Sequence, residues 1–270
     1  MQLNFSAFFK KMPFLVVSLF LINILLLKYL QPSITNPYRV DGFGAQFQTI
    51  IYAAIYAELN NKPFVYTPFD SMEHNYNNDA KFIEKKENLI NFIGNFNLSD
   101  NNSKINRLET GQYIRFFEKN LDKCYNSKTL KKIKNVFRAN KPQDFFANNK
   151  FNIAVHIRRP NSHDNRLAGA DVPDQKFLDI INNLKQKYAD QDYLIHIYSQ
   201  GNADNFKMYG NERVALHLNE SIENTFTGLV YADVLVLSPS SFSYTAGLIS
   251  DGKVYYMPFW HPPLRGWEIL

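Results

Sequence analysis

The chain has 270 residues, 45% of them hydrophobic, which suffices for one large domain or two smaller lobes around true cores. Its net charge of +5 comes from lysines scattered as in "TLKKIKN" and "NLKQKY", the pattern of solvated helix faces, and no zinc-finger or RNA-binding signature accompanies them. A nucleic-acid partner is therefore disfavoured, and the single cysteine, Cys124, excludes an intrachain disulfide and a cysteine metal cluster.

Residues 1–12 read as a cytosolic tail ending in Lys10 and Lys11. An apolar run follows over 13–30, broken by Asn23 and Lys28. Eighteen residues reach the short limit for a bilayer span. "KYLQPSITNP" has no small-residue cleavage pattern, so the run predicts an uncleaved signal anchor, with the bulk of the chain across the membrane. "QPSITNP" (31–37) reads as a linker. In a secretory lumen, Asn97, Asn101 and Asn219 would head glycan-acceptor triplets.

"YRV" (38–40) reads as a strand and "DGFGAQ" (41–46) as a glycine loop. "AQFQTIIYAAIYAELNN" then reads as a helix with Phe47, Ile50, Ile51, Ala54 and Ile55 on one stripe, and "PFVYT" (63–67) as a second strand. Helical patches at 79–93 and 110–137 complete a first lobe, 38–150. A second lobe, 151–270, alternates sharply. Strands at 151–157, 193–199, 213–218, 233–238 and 253–257 are separated by helical segments opening at Pro173–Asp174, Ala203, Ser221 and Phe242. Such alternation predicts an α/β fold with a mostly parallel, doubly wound sheet.

Open α/β sheets bind ligands beyond the carboxyl ends of their strands. Three loops fall there: Asp41–Gln46, His156–Arg166 and "SPSSFS" (238–243). The first carries Gly42 and Gly44 but has Phe47 where a dinucleotide fingerprint needs glycine, and it lacks the Gly-Lys-Ser/Thr of a P-loop. In "HIRRPN", Arg158 and Arg159 point in opposite directions if the strand continues. They read either as a structural ion pair plus a surface charge, or as a clamp for a diphosphate, whose oxygens guanidinium groups grip in pairs. His156 shares a face with Arg158. "SPSSFSYTAGL" sets hydroxyls and backbone amides at a helix start, which is either plain capping or an anion site.

Together these blocks resemble the GDP-fucose-dependent fucosyltransferases of the α1,2, α1,6 and protein O-fucosyltransferase superfamily. "HIRRPN" is similar to their His-x-Arg-Arg-x-Asp/Asn motif, "ADVLVLSPSSFSYTAGLI" to their later Ser/Thr-Phe-Ser turn, and "GFGAQF" to their Gly-x-Gly-Asn-Gln opening with Ala45 for Asn. The resemblance implies a GT-B fold: two Rossmann-like lobes, here behind a transmembrane helix, with the donor held mainly by the second. It implies an inverting, metal-independent transfer of fucose from GDP-fucose to a glycan or glycoprotein hydroxyl, with no cofactor, in a type II Golgi enzyme. On this reading Arg158 or Arg159 neutralises the departing diphosphate and His156 contacts the nucleotide. Ser240, Ser241, Phe242 and Ser243 line the nucleotide side, and Gly42, Gly44 and Gln46 close over the donor. Asn161 stands where many relatives carry Asp, which leaves the base among Asp164, His163 and Asp171. Another nucleotide-sugar donor, or a non-catalytic nucleotide- or glycan-binding role, stays open. Trp260, Trp267 and Arg265 near the end read as packing rather than sugar-stacking groups.

Overall fold

The computed structural model describes residues 31–99, 104–159, 171–210 and 212–270. The expected tail and membrane anchor (1–30), Asn101, and Asn161, His163 and Asp164 lie outside them. Among the described residues, no helix is long and apolar enough to cross a membrane.

The larger sheet comprises β3 (Phe151–Ile157), β4 (Tyr193–Ser199), β5 (Val214–Leu218), β6 (Val234–Val236), β7 (Lys253–Tyr256) and β8 (Glu268–Ile269). Its order is β5-β4-β3-β6-β7-β8 and all its ladders are parallel, as the strand–helix alternation predicts. The two-residue β8 was not expected. Parallel strands are covered on both faces and therefore read as nearly continuous apolar runs. β3 shows how the faces divide. Ile153, Val155 and Ile157 join a core under helix α6 (Asp174–Lys187) with Phe177, Ile181 and Leu184. Ala154 points into the other core, shared with the amino-terminal half.

That half is built around α1 (Phe43–Leu59). The expected stripe is buried, but so is most of the rest of the helix, because α1 is packed on several sides rather than floated on one. It lies against the small parallel sheet of β1 (Ser33–Thr35) and β2 (Ile105–Arg107), extended by bridges at Phe64 and Tyr66. The helical patches resolve into α2 (Phe82–Ile90), α3 (Thr110–Lys119), α4 (Leu121–Tyr125) and α5 (Lys128–Arg138). A Glu109–Gln112 capping box starts α3, and the Ser127 hydroxyl accepts from the Leu130 amide to start α5.

Two boundaries differ from expectation. "YRV" is not a strand: Tyr38 and Val40 are two-thirds exposed. The strand is Ser33–Thr35, inside the expected linker, where Ile34 and Thr35 are fully buried. Asn36 secures it by donating to the Thr67 carbonyl and accepting from the Thr67 amide. Side-chain pairing, not apolar content, decides where the chain joins the fold.

The two expected lobes, 38–150 and 151–270, pack on each other. Helices α7 (Ile222–Tyr231) and α8 (Ser241–Ile249) from the carboxyl-terminal half pack on α1 and α5. Phe43 and Phe47 of α1 meet Phe226 of α7 at ring centroids 5.0 and 6.0 Å apart, and Phe137 of α5 meets the same ring at 5.7 Å. One hydrophobic core thus runs through both halves.

The closest approach is at Gly44. A Cβ there would lie 2.3 Å from the Phe242 Cα and 2.6 Å from its nitrogen, and the Thr245 hydroxyl donates to the Gly44 carbonyl at 2.9 Å. Only glycine lets the first turns of α1 and α8 touch backbone to backbone. Gly44→Ala is expected to cost about 1–3 kcal/mol or more, since backbone cannot yield as a side chain does. Chemical denaturation of the variant, set beside Gly111→Ala, where only the tip of the Arg115 side chain would have to yield, checks this.

Candidate active-site cleft

At the carboxyl ends of β3, β4, β5 and β6, facing the start of α1, lies a cleft of about 940 Å³, at the upper end for small-ligand sites. All three loops singled out in the sequence border it. Gly42, Gly44, His156, Arg158, Arg159, Ser240, Ser241 and Phe242 line it. Gln46 and Ser243 do not. The Gln46 amide donates to the carbonyls of Asp41 (2.6 Å) and Ser71 (2.9 Å), tying two loops together. The fully buried Ser243 hydroxyl donates to the Ser238 carbonyl at 3.1 Å. Both residues shape the cleft from behind.

β3 ends at Ile157, and both arginines that follow it line the cleft. Arg159, on the α6 side, donates to the Asp174 carboxylate, which also accepts from the Tyr209 hydroxyl, and its guanidinium lies 5.5 Å from the Phe206 ring. Asp174 opens α6, so one carboxylate serves the helix start and the arginine together. Arg158 lies close enough to His156 for its charge to act on that ring. Its backbone amide donates to the Ser238 hydroxyl (3.0 Å), which donates to the His156 carbonyl (2.8 Å). Ser238 thereby locks the end of β3 to the loop after β6.

His156 forms part of the cleft wall with Phe242, their rings 5.6 Å apart. Burial, and then the nearby Arg158 charge, push its pKa down to about 3, so the imidazole is neutral. Its enclosed Nδ1 has no hydrogen-bond partner among the described residues. A polar atom left in that state costs about 1–3 kcal/mol, which a ligand group can offset.

Three helix starts border the cleft, and each offers amide groups and the positive end of a dipole. Gly42 precedes α1, Ser221 caps α7 by accepting from the Asn224 amide, and Ser240 caps α8 by accepting from the Phe242 amide. Gly42 also leaves room for the His74 ring, which a Cβ would approach to 2.9 Å. The lining carboxylates have partners: Asp41 with Arg39, Asp79 with Lys85, Glu223 with Lys86 and Glu220 with His217. The three helix starts add positive character to the cleft.

Several wall residues escaped the sequence reading. Lys86 sits in a lysine-rich stretch that looks like a solvated face, yet its side chain is only 2% exposed and its ammonium reaches Glu223 at 2.6 Å. Glu220 and Glu223 belong to "NESIE", where only a glycan triplet and a helix cap were legible. Asn219 of that triplet is exposed, but its amide donates to the Gly201 carbonyl and its carbonyl accepts from the Gly201 amide. Of the terminal tryptophans, Trp267 packs against Tyr244 and over Gly247, whereas Trp260 borders the cleft, 59% exposed. An Asp-x-Asp triplet, Asp190–Gln191–Asp192, stands at the opposite, amino-terminal edge of β4, with Asp192 bound to Lys150.

No family model and no curated protein matches the sequence. Among solved structures, the chain is similar to the fucosyltransferase NodZ from Bradyrhizobium, with 10% identity over 86% of this chain and 97% of that one and a TM-score of 0.42. It is similar to E. coli heptosyltransferase WaaC with ADP-2-deoxy-2-fluoro heptose, with 12% identity over 89% and 93% and a TM-score of 0.47. It is also similar to POFUT1 in complex with GDP, with 12% identity over 83% and 74% and a TM-score of 0.29.

The Lys86–Glu223 pair joins α2 to the start of α7 across the cleft wall. Burial raises the Glu223 carboxyl, but the bond and charge of Lys86, with the Glu223 backbone amide and Ser221, together outweigh it, leaving the carboxyl below its ordinary value. This stabilisation is present above the ordinary glutamate range and is lost as pH falls through the depressed value. Lys86→Met is expected to cost about 3 kcal/mol, the low end for a broken buried pair because Glu223 is a quarter exposed. Melting temperature followed from pH 7 to 3 should fall less steeply in the variant than in the wild type.

Proposed function

We propose that the protein is a glycosyltransferase that moves fucose from GDP-fucose to a hydroxyl of a glycan or glycoprotein, with inversion and without a metal. The observation that carries this reading is the convergence of Arg158 with the starts of α1 and α8 on one cleft. Leaving of a nucleoside diphosphate builds negative charge as the sugar–phosphate bond breaks. A guanidinium and fixed amide dipoles stabilise that charge in place.

In this scheme the acceptor hydroxyl attacks the anomeric carbon from the face opposite the diphosphate. The bond to the β-phosphate oxygen breaks, and the acceptor proton passes to a base, for which Asp164 remains the candidate. Arg158 faces the diphosphate, the neutral His156 contacts the nucleotide, and Arg159 holds the loop through Asp174. Exposed Trp260 offers an apolar ring face at the rim on which an acceptor sugar can lie. The GT-B description suits two halves meeting at a cleft, with the qualification that their cores are fused. The reading keeps residues 13–30 as a signal anchor and the catalytic part in the Golgi lumen.

Thermal shift of the full chain with GDP, GDP-fucose, UDP-sugars and ADP-sugars tests the donor. GDP and GDP-fucose are expected to raise the melting temperature, and a shift confined to another nucleotide would replace this donor assignment. Arg158→Ala should lower transfer or donor hydrolysis about 10²–10³-fold. Arg159→Ala should instead lower stability first, because Asp174 loses its partner. Equal, mild effects of the two substitutions would sink the clamp.

A further inference from the structure

A row of polar side chains crosses the larger sheet and ends on the cleft. Asn152 of β3 meets His196 of β4, His196 meets His217 of β5, and His217 meets Glu220 in the following loop. The contacts are Asn152 Oδ1 to His196 Nε2, 2.9 Å; His196 Nδ1 to His217 Nε2, 2.9 Å; and His217 Nδ1 to Glu220 Oε1, 2.7 Å. Asn152 and His196 are buried, whereas the side chains of His217 and Glu220 are about a quarter and a third exposed. Phe146 covers His196 at 4.3 Å, and Tyr198 stacks on His217 at 4.5 Å with the rings 18° from parallel. The fucosyl-transfer reading gives these histidines no task.

The row has a definite proton requirement. Asn152 donates its amide to the Lys150 carbonyl at 2.9 Å, so its oxygen is the atom turned to His196, where it also accepts from Asn148. That end is a pure acceptor, and at the other end an ionised Glu220 is a pure acceptor too. Each of the three contacts needs one proton. Two neutral imidazoles carry one N–H each, which makes two. Changing tautomers only moves the deficit: with His217 donating to Glu220, its bare Nε2 must be met by His196 Nδ1–H, and His196 then turns a bare Nε2 on the Asn152 oxygen. One contact always sets two acceptors face to face at 2.9 Å or less unless a third proton is added.

We propose that this row is a proton-binding site, which holds a third proton between His217 and Glu220 and so cancels the carboxylate's charge in the wall of an anion-binding cleft. The groups facing the pair are His196 and Tyr198 from β4. The Tyr198 hydroxyl is turned to Gly228 of α7, which brings no side chain. Burial and the neighbouring His217 push His196 down to about 4, which keeps the added proton off the inner ring. The requirement follows from the sheet alone, while its consequence for ligand binding rests on the proposed function. When rising pH removes the proton, a bare carboxylate faces the ligand's diphosphate and binding weakens.

The test uses the full chain with 15N-labelled histidine, of which there are six. At pH 7, 15N shifts should show three protons in the row: two on the inner contacts and one between His217 Nδ1 and Glu220. Glu220→Gln is nearly isosteric, and its amide donates to His217 Nδ1. The variant thus satisfies the row with two ring protons and no added charge. GDP affinity measured from pH 6 to 9 should fall more steeply in the wild type than in E220Q, toward tenfold per pH unit for one fully coupled proton. Only two protons in the row of the wild type, or equal pH slopes in the two proteins, would overturn the proposal. If neither protein binds GDP, the donor reading falls, and the wild-type proton count still decides for or against the row. That count needs no variant, so it decides also if E220Q fails to fold.

Discussion

The contact on which the rest of this structure depends is the meeting of two helix starts at Gly44 and Phe242. The first turn of α1 and the first turn of α8 come together with no side chain between them. Two consequences follow from that one geometry. The phenylalanines flanking it, Phe43, Phe226 and Phe242, close into a single core that spans both halves. The amide groups on either side of it are brought to one cleft, where the dipoles of both helices favour an anion.

A fused core sets limits on how the cleft can work. Where two lobes have separate cores, ligand binding can swing one against the other about a hinge. Here α1 is buried by elements from both halves, and the Lys86–Glu223 pair ties them at the cleft wall. Opening would expose aromatic surface and unpair a buried ammonium. Adjustment is therefore expected in the loops bordering the cleft, whose backbones lie outside the core. The polar row from Asn152 to Glu220 adds a second fixed feature: its hydrogen-bond polarity is set inside the sheet and delivered to the wall.

Much of the fold was legible along the chain wherever local pattern and tertiary demand coincide. In the carboxyl-terminal half each expected strand appears, because a strand buried on both faces must be apolar along its length. In the amino-terminal half the pattern misled. The strand at Ser33–Thr35 is three residues long and next to a proline, and its place is set by pairing with Thr67 and β2, which no local period reports. The site divides the same way. Eight of the expected side chains or glycines line the cleft, because glycine loops and strand ends carry local marks. Lys86, Glu220 and Glu223 carry none, since a buried lysine differs from a solvated one only in its neighbours.

The amino-acid sequence by itself determined the α/β class, the parallel sheet and the three loops that border the cleft, for these follow from periods of two and 3.6 residues and from glycine and proline. Tertiary structure alone gave Arg159 its carboxylate partner, since that depends on where α6 sets Asp174. It alone fused the two cores at Gly44, and it alone lined up two histidines from separate strands with a glutamate. Those relations join residues from 15 to more than 190 positions apart, and no local pattern encodes a distance of that kind.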